Sequence, residues 1–247
     1  MKVIALYNIK GGVGKTASAV NLAYLSAQEG YRTLLWDLDP QGAASFYYRV
    51  KPKIKGGAEK LLKKSSELDE RIKATDYDRL DLLPADFSLR NLDLLLEEQK
   101  KPTKRIAKLL EPLTDEYDVV FLDCAPSISL VSENIFRAAD TLLIPTIPTT
   151  LSLRTLKQIY DYFSEAGLPT AGLLPFFSMV DSRRQMHRLI IEQPPQQPVQ
   201  FLTSHIPSIS EIERMGIDQK PACTHAGRAT LAYRALWDEV KKRAAII

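Results

Sequence analysis

A strand-like apolar run, Val3-Ile4-Ala5-Leu6-Tyr7, leads into the loop Lys10-Gly11-Gly12-Val13-Gly14-Lys15-Thr16. A helix-like stretch from Ala17 to Ala27 follows, with apolar residues at Val20, Leu22, Ala23 and Leu25. Glycines let successive backbone N–H groups turn inward around an anion, and the helix N-terminus adds its partial positive charge at the same place. Lys15 can then reach the outer phosphates of a nucleoside triphosphate, and the Thr16 hydroxyl can ligate the Mg2+ that travels with them. The pattern therefore predicts a strand–loop–helix unit that binds a nucleoside triphosphate.

The usual form of this loop needs a glycine at position 9, where this chain has Ile9, and a second lysine, Lys10, stands inside the loop. Lys10 lies too early to follow the path of Lys15, so its ammonium is expected to point away from its own nucleotide. One purpose for that charge is a phosphate held by a second subunit. The alternative is a solvated surface lysine beside a glycine turn.

Two further strand ends carry carboxylates. Asp37 and Asp39, in Trp36-Asp37-Leu38-Asp39-Pro40-Gln41-Gly42, are spaced to share one side of an extended chain. Paired carboxylates repel a triphosphate unless Mg2+, a lysine or a water needing orientation offsets them. Otherwise they are strand-end aspartates that cap the next turn. Asp123 ends the most apolar strand, Val119 to Leu122, where a phosphate-loop ATPase carries a carboxylate that meets Mg2+ through a water. Cys124 reads as a small packed side chain, and His187, His205 and His225 have neither a triad nor metal-ligand spacing.

With Val119-Val120-Phe121-Leu122-Asp123-Cys124-Ala125-Pro126 as the third motif, the chain resembles the ParA/MinD family of deviant-Walker ATPases over nearly its whole length. Its likeness is greatest to the small, Soj-like ParA members. The resemblance implies a phosphate-loop NTPase fold with ATP and Mg2+ bound by Lys10, Gly11, Gly12, Val13, Gly14, Lys15, Thr16 and Ala17. It implies Mg2+ contacts from Thr16, Asp37 and Asp123, and an adenine-contacting loop at Pro207. It further implies a nucleotide-gated homodimer in which Lys10 reaches the partner's phosphates, Lys15 serves its own nucleotide and Asp39 orients the attacking water. A ParB-like activating protein or cargo adaptor would stimulate hydrolysis. Four positions depart from the family: Ala17 lacks the usual hydroxyl, Ala125 stands where many members have proline, and Ser208 and Glu211 stand where small ParA proteins typically carry arginines.

The bulk of the chain suits this reading. Its 247 residues can bury one large core, and 45% hydrophobic with 26% charged residues is ordinary for a globular protein. A net charge of +3 is mild, so nucleic-acid binding needs a local patch. Two cysteines exclude a disulfide framework. No run is long enough for a membrane span, and the N-terminus reads as a strand, so a cytoplasmic protein is expected. Strand-like runs at 33–36, 80–84, 119–122, 141–145, 171–177 and 200–203 alternate with helix patterns at 89–100, 103–114, 129–138, 152–166, 183–193 and 226–245. That alternation predicts an α/β fold, a mostly parallel twisted sheet with helices on both faces, in a single domain over 1–247. Lys51 to Lys64 reads as a basic surface excursion, and Pro194 to Pro198 as a turn-rich connector.

Arg183, Arg184 and Arg188 on one predicted helix, with Arg214 and Lys220 beyond, are candidates for phosphate contacts to nonspecific DNA; the alternative is solvated helix faces. The leading expectation is a nucleoid-associated ATPase that segregates or positions a cargo. That cargo would be a plasmid or chromosome locus, or a protein body such as a carboxysome or chemoreceptor cluster. The lack of a segment before the first strand speaks against the longer, operator-binding partition type. A MinD-like membrane-associated regulator is the alternative, but Leu231, Leu236, Trp237 and Val240 are expected to pack on the sheet, which speaks against membrane binding. A metallocluster carrier is disfavoured by the scarcity of cysteines.

Overall fold

The computed structural model describes residues 1–63, 68–195 and 199–246. Eight strands form one sheet: β1 (Lys2–Leu6), β2 (Thr33–Asp37), β3 (Lys73–Ala74), β4 (Leu80–Leu83), β5 (Val119–Asp123), β6 (Thr141–Thr146), β7 (Leu173–Val180) and β8 (His205–Pro207). Their spatial order is β3-β4-β2-β5-β1-β6-β7-β8, parallel throughout except for the short edge strand β3. The helices are α1 (Lys15–Gln28), α2 (Ala43–Tyr47), α3 (Gly57–Lys63), α4 (Leu92–Glu97), α5 (Arg105–Leu110), α6 (Leu130–Ala138), α7 (Thr150–Glu165), α8 (Gln185–Glu192), α9 (Ser210–Glu213), α10 (Met215–Asp218) and α11 (Arg228–Ala244).

Side chains of a strand alternate between faces, and β1 shows what this does here. Ile4 and Leu6 join a core with α1, α2 and α11, while Val3, Ala5 and Tyr7 join the opposite core with α3 to α7. Both faces are covered, which is why the strands are apolar without alternation. The chain leaves β1 toward β2 on one side and reaches β6 on the other, so the loop after β1 sits where the strand order reverses. Parallel α/β sheets bind their ligands outside the carboxyl ends of the strands at such a point.

The structure corrects several boundaries. Residues 200–203 are not a strand: Leu202 N–H donates to the Pro175 carbonyl at 2.8 Å and Phe201 stacks on Phe177 at 4.2 Å, but the ladder resumes only at His205. The helix pattern at 103–114 divides, because Pro112 lies in a 3-10 segment, Glu111–Asp115, that follows α5. The basic excursion is also more than a surface loop. Ile54, Ala58, Leu61 and Leu62 are buried in the core while the lysines of α3 remain outside. Lys64 and the Gln196-Gln197-Pro198 part of the expected connector lie outside the described residues. The antiparallel strand β3 had no readable signal, being two residues long.

Candidate functional site

The phosphate loop is held by a residue the sequence reading passed over. Asn8 is fully buried at the end of β1; its Nδ2 donates to the Pro145 carbonyl at 2.9 Å and its Oδ1 accepts from Lys10 N–H at 2.9 Å. This one side chain ties the loop's first turn to β6. An asparagine at a strand end before a glycine turn was the available signal. Gly12 (φ 68°) and Gly14 (φ 89°) occupy the left-handed region that side chains rarely adopt. At Gly14 a Cβ would also stand 2.8 Å from Ser178 Oγ on β7, so backbone conformation and space both require glycine there.

The two loop lysines part company. Lys15 is buried, and its Nζ donates to the Lys10 carbonyl at 3.1 Å, folding back across the loop. Burial lowers its pKa, while Asp123, Cys124 and Asp39 oppose that shift. Lys10, Gly11 and Gly12 are exposed, whereas Val13 is fully buried and pins the loop to the core. Thr16 and Ala17 are half-buried at the start of α1.

Asp37 and Asp123 pair in register at the ends of β2 and β5, and both are fully buried. Their surroundings differ. Asp37 Oδ2 accepts from Ser45 N–H at 2.8 Å and Ser45 Oγ at 2.7 Å, and its Oδ1 accepts from Asp39 N–H at 3.3 Å. Ser45 Oγ in turn accepts from Ala85 N–H at 3.0 Å. Burial still drives Asp37 up to about 6, against the lowering effect of these bonds. Neither oxygen of Asp123 has a well-formed hydrogen bond in the protein. Burial raises its pKa first and the charge of Asp37 second, with the facing Thr16 hydroxyl and the Lys15 ammonium pulling the other way. Asp39 is half-buried and accepts from Gln41 N–H at 2.9 Å, the turn-capping bond considered above.

An orphaned, fully buried carboxylate beside a hydroxyl and an ammonium fits a cation bound on that side. Among the described residues no cluster of three or more His, Cys, Asp or Glu could cage a metal. The donor set therefore suits a hard cation that retains waters and phosphate oxygens, as Mg2+ does. Cys124 is buried, and burial pushes its thiol well above the usual range.

Pro207 ends β8 and pairs with Val180 of β7. It is three strands from β1, about 14 Å along the same sheet edge. The five candidate DNA residues divide into two groups. Arg183 forks onto Asp181 at 2.9 and 3.0 Å, Arg184 lies 3.7 Å from the same carboxylate, and Arg188 donates to the Ser182 carbonyl at 2.8 Å. These three share the corner after β7, and the Arg183 guanidinium leads in holding Asp181 down to about 2. Arg214 and Lys220 instead line a 230 Å3 depression beside α10, together with Glu211 and Asp218. Glu211 accepts from Ala229 N–H at 2.9 Å in the first turn of α11. The acid that replaces an arginine thus caps a helix.

Comparison with known proteins agrees with this architecture. The family described as AAA domain matches residues 1–168. The chain is 34% identical over 199 residues to the chromosome partitioning protein ParA of Myxococcus xanthus, covering 78% of this chain and 70% of that one. It is 32% identical over 199 residues to the sporulation initiation inhibitor protein Soj of Bacillus subtilis, covering 78% of each. Among solved structures, cobyrinic acid a,c-diamide synthase from Mycobacterium smegmatis with bound ATP analogue and magnesium superposes with a TM-score of 0.80 at 26% identity, covering 96% of this chain and 93% of that chain. The eight-stranded, mostly parallel sheet, the loop at the strand-order reversal and these likenesses place the chain in the ParA/MinD family of P-loop ATPases.

Proposed function

We propose that the protein is a ParA-like ATPase that binds ATP with Mg2+, closes into a sandwich dimer and opens again on hydrolysis. The observation that carries this reading is the opposed fate of the two loop lysines: Lys15 is buried in its own loop and Lys10 is exposed on it. A lysine turned outward beside a phosphate cradle gains a partner only when a second phosphate-bearing surface approaches. The bound ATP analogue and magnesium of the Mycobacterium smegmatis structure support the same ligands here.

In this reading Gly11 to Thr16 hold the phosphates through backbone N–H groups and the α1 N-terminus, with Lys15 on the outer phosphates. Thr16 and Asp123 hold Mg2+, which supplies charge neutralisation on the phosphates. Asp37, already engaged by Ser45, orients the strand end and supports that shell at one remove. Asp39 positions the attacking water, and Pro207 lies against the base. Losing the γ-phosphate removes the contacts that favour the closed dimer.

The closed dimer would bind nonspecific DNA through Arg183, Arg184, Arg188, Arg214 and Lys220, place the protein on the nucleoid in the cytoplasm, and segregate or position a cargo with an adaptor that stimulates hydrolysis. Among the described residues no helix is long and apolar enough to cross a membrane. The test is Asp39→Ala. Its ATP-bound dimer should accumulate on a sizing column with turnover reduced at least about a hundredfold; turnover at the wild-type rate would overturn the role of Asp39.

A further inference from the structure

The helices α5, α6 and α7 pack on the sheet face that carries Val3, Ala5 and Tyr7. There α5, the C-terminal end of α6 and the segment after α7 enclose a groove of about 960 Å3. Six cations line it, Lys100, Lys101, Lys104, Arg105, Lys108 and Arg137, against two carboxylates, Glu98 and Glu111. None of the six makes an ion pair among the described residues. The Nε of Arg105 is buried with no hydrogen-bond partner. A buried guanidinium nitrogen left without an acceptor is costly unless something else supplies one.

The groove also has an apolar floor and a fixed shape. Phe136, Leu168 and Pro169 lie among the cations, and Phe136 packs against Tyr7 and Phe163, each at 4.8 Å. Buried Asn134 of α6 locks α5 in place: its Oδ1 accepts from Arg105 and Ile106 N–H at 2.8 and 3.2 Å, and its Nδ2 donates to the Pro102 carbonyl at 2.6 Å. Lys108 lies on α5 and Lys104 is the residue that caps its N-terminus, four positions earlier and outside the helix; both are exposed and line the groove.

We propose that this groove docks an acidic amphipathic helix of a partner protein. Its apolar stripe would cover Phe136, Leu168 and Pro169, and carboxylates one turn apart would meet Lys104 and Lys108, with a further acceptor for Arg105. Carboxylates spaced i, i+4 on a helix lie on one face, so a single acidic stripe can face the groove's cluster of cations. A nucleic-acid backbone fits less well. It carries uniform negative charge past Glu98 and Glu111 and has nothing to place on the apolar floor, whereas a peptide can set neutral or basic residues opposite those two acids. None of the groove's lining residues belongs to the phosphate loop, so the proposed docking requires no bound nucleotide.

The test is fluorescence anisotropy with a labelled helical peptide carrying glutamates at i, i+4 and a leucine stripe. A scrambled peptide of the same composition and a short random duplex DNA serve as comparisons. Binding of the helical peptide should be the same with and without ATP, and should weaken at least about tenfold in Lys104→Glu/Lys108→Glu. The far-UV spectrum and ATP affinity of that variant should match wild type, which separates a lost groove from a lost fold and from a failed nucleotide reading. Equal binding of the scrambled peptide, no effect of the double reversal, or binding of duplex DNA but not peptide through these lysines would each overturn the proposal.

Discussion

Asp123 concentrates the electrostatic tension of the site in one residue. A buried carboxylate with no well-formed hydrogen bond, facing the Thr16 hydroxyl and next to a second buried carboxylate, is held against its own solvation preference until a cation offsets it. Both Asp37 and Asp123 therefore bind a proton more readily folded than unfolded. Stability from these two groups falls as pH rises from about 4, where an ordinary aspartate ionises, through the folded value of about 6 for Asp37. Asp123→Asn removes one of the charges. The nucleotide-free variant should be more stable than wild type at pH 7.5, by on the order of 2 kcal/mol, with the gap closing toward pH 5. The same variant should lose most of the stabilisation that Mg·ATP gives wild type. Thermal melts across this pH range check both; a variant less stable than wild type at pH 7.5 would contradict the account. Residues of this kind were readable in sequence because chemistry restricts them to strand ends. Ser45 and Ser178 were not, because what they do depends on residues distant in sequence: Asp37 and Ala85 for Ser45, and Gly14 for Ser178; Asn8 offered a local turn signal through Lys10, but not its bond to Pro145.

At the scale of elements, α11 shows how packing decides between readings that a sequence leaves open. Leu236, Trp237 and Val240 are fully buried, and Trp237 Nε1 donates to Glu29 at the end of α1 at 3.0 Å. Leu231, in the same expected stripe, is 71% exposed and takes no part in that packing. The buried stripe runs the length of the helix, from Ala229 and Tyr233 to Val240, and packs with α1 and Phe121 of β5, so it is not available to a membrane. Trp237→Ala should cost about 3–5 kcal/mol in urea denaturation. A cost under about 1 kcal/mol would show that the helix end is detached and free to dock elsewhere. The strands β1, β2, β5 and β6 were legible because burial on both faces writes a continuous apolar run. The edge was not: β3 and β8 are short, and β8 takes its register from a single irregular pairing with β7 at Phe177 and Val180. In the same way, the lysines of 51–63 concealed the buried positions Ile54, Ala58, Leu61 and Leu62.

At the scale of the whole molecule, α6 connects the surroundings of the phosphate loop to the basic groove. Its N-terminal side adjoins Ser127, whose carbonyl accepts from Tyr7 Oη at 2.7 Å, and its C-terminal end carries Phe136 and Arg137 into the groove. Lys10 is exposed on the phosphate loop and is not among the residues that line the groove. Dimerisation gated by ATP is the central claim, and Lys10 is where it can be broken without touching the cradle itself. The direct measurement is molar mass by multi-angle light scattering with Mg·ATP, wild type beside Lys10→Ala, with nucleotide affinity measured in parallel. Wild type should double its mass with ATP and not with ADP, while Lys10→Ala binds ATP within a few-fold of wild type and stays monomeric. Full ATP-dependent doubling by Lys10→Ala, or no change of mass in the ATP-bound wild type, would contradict the account.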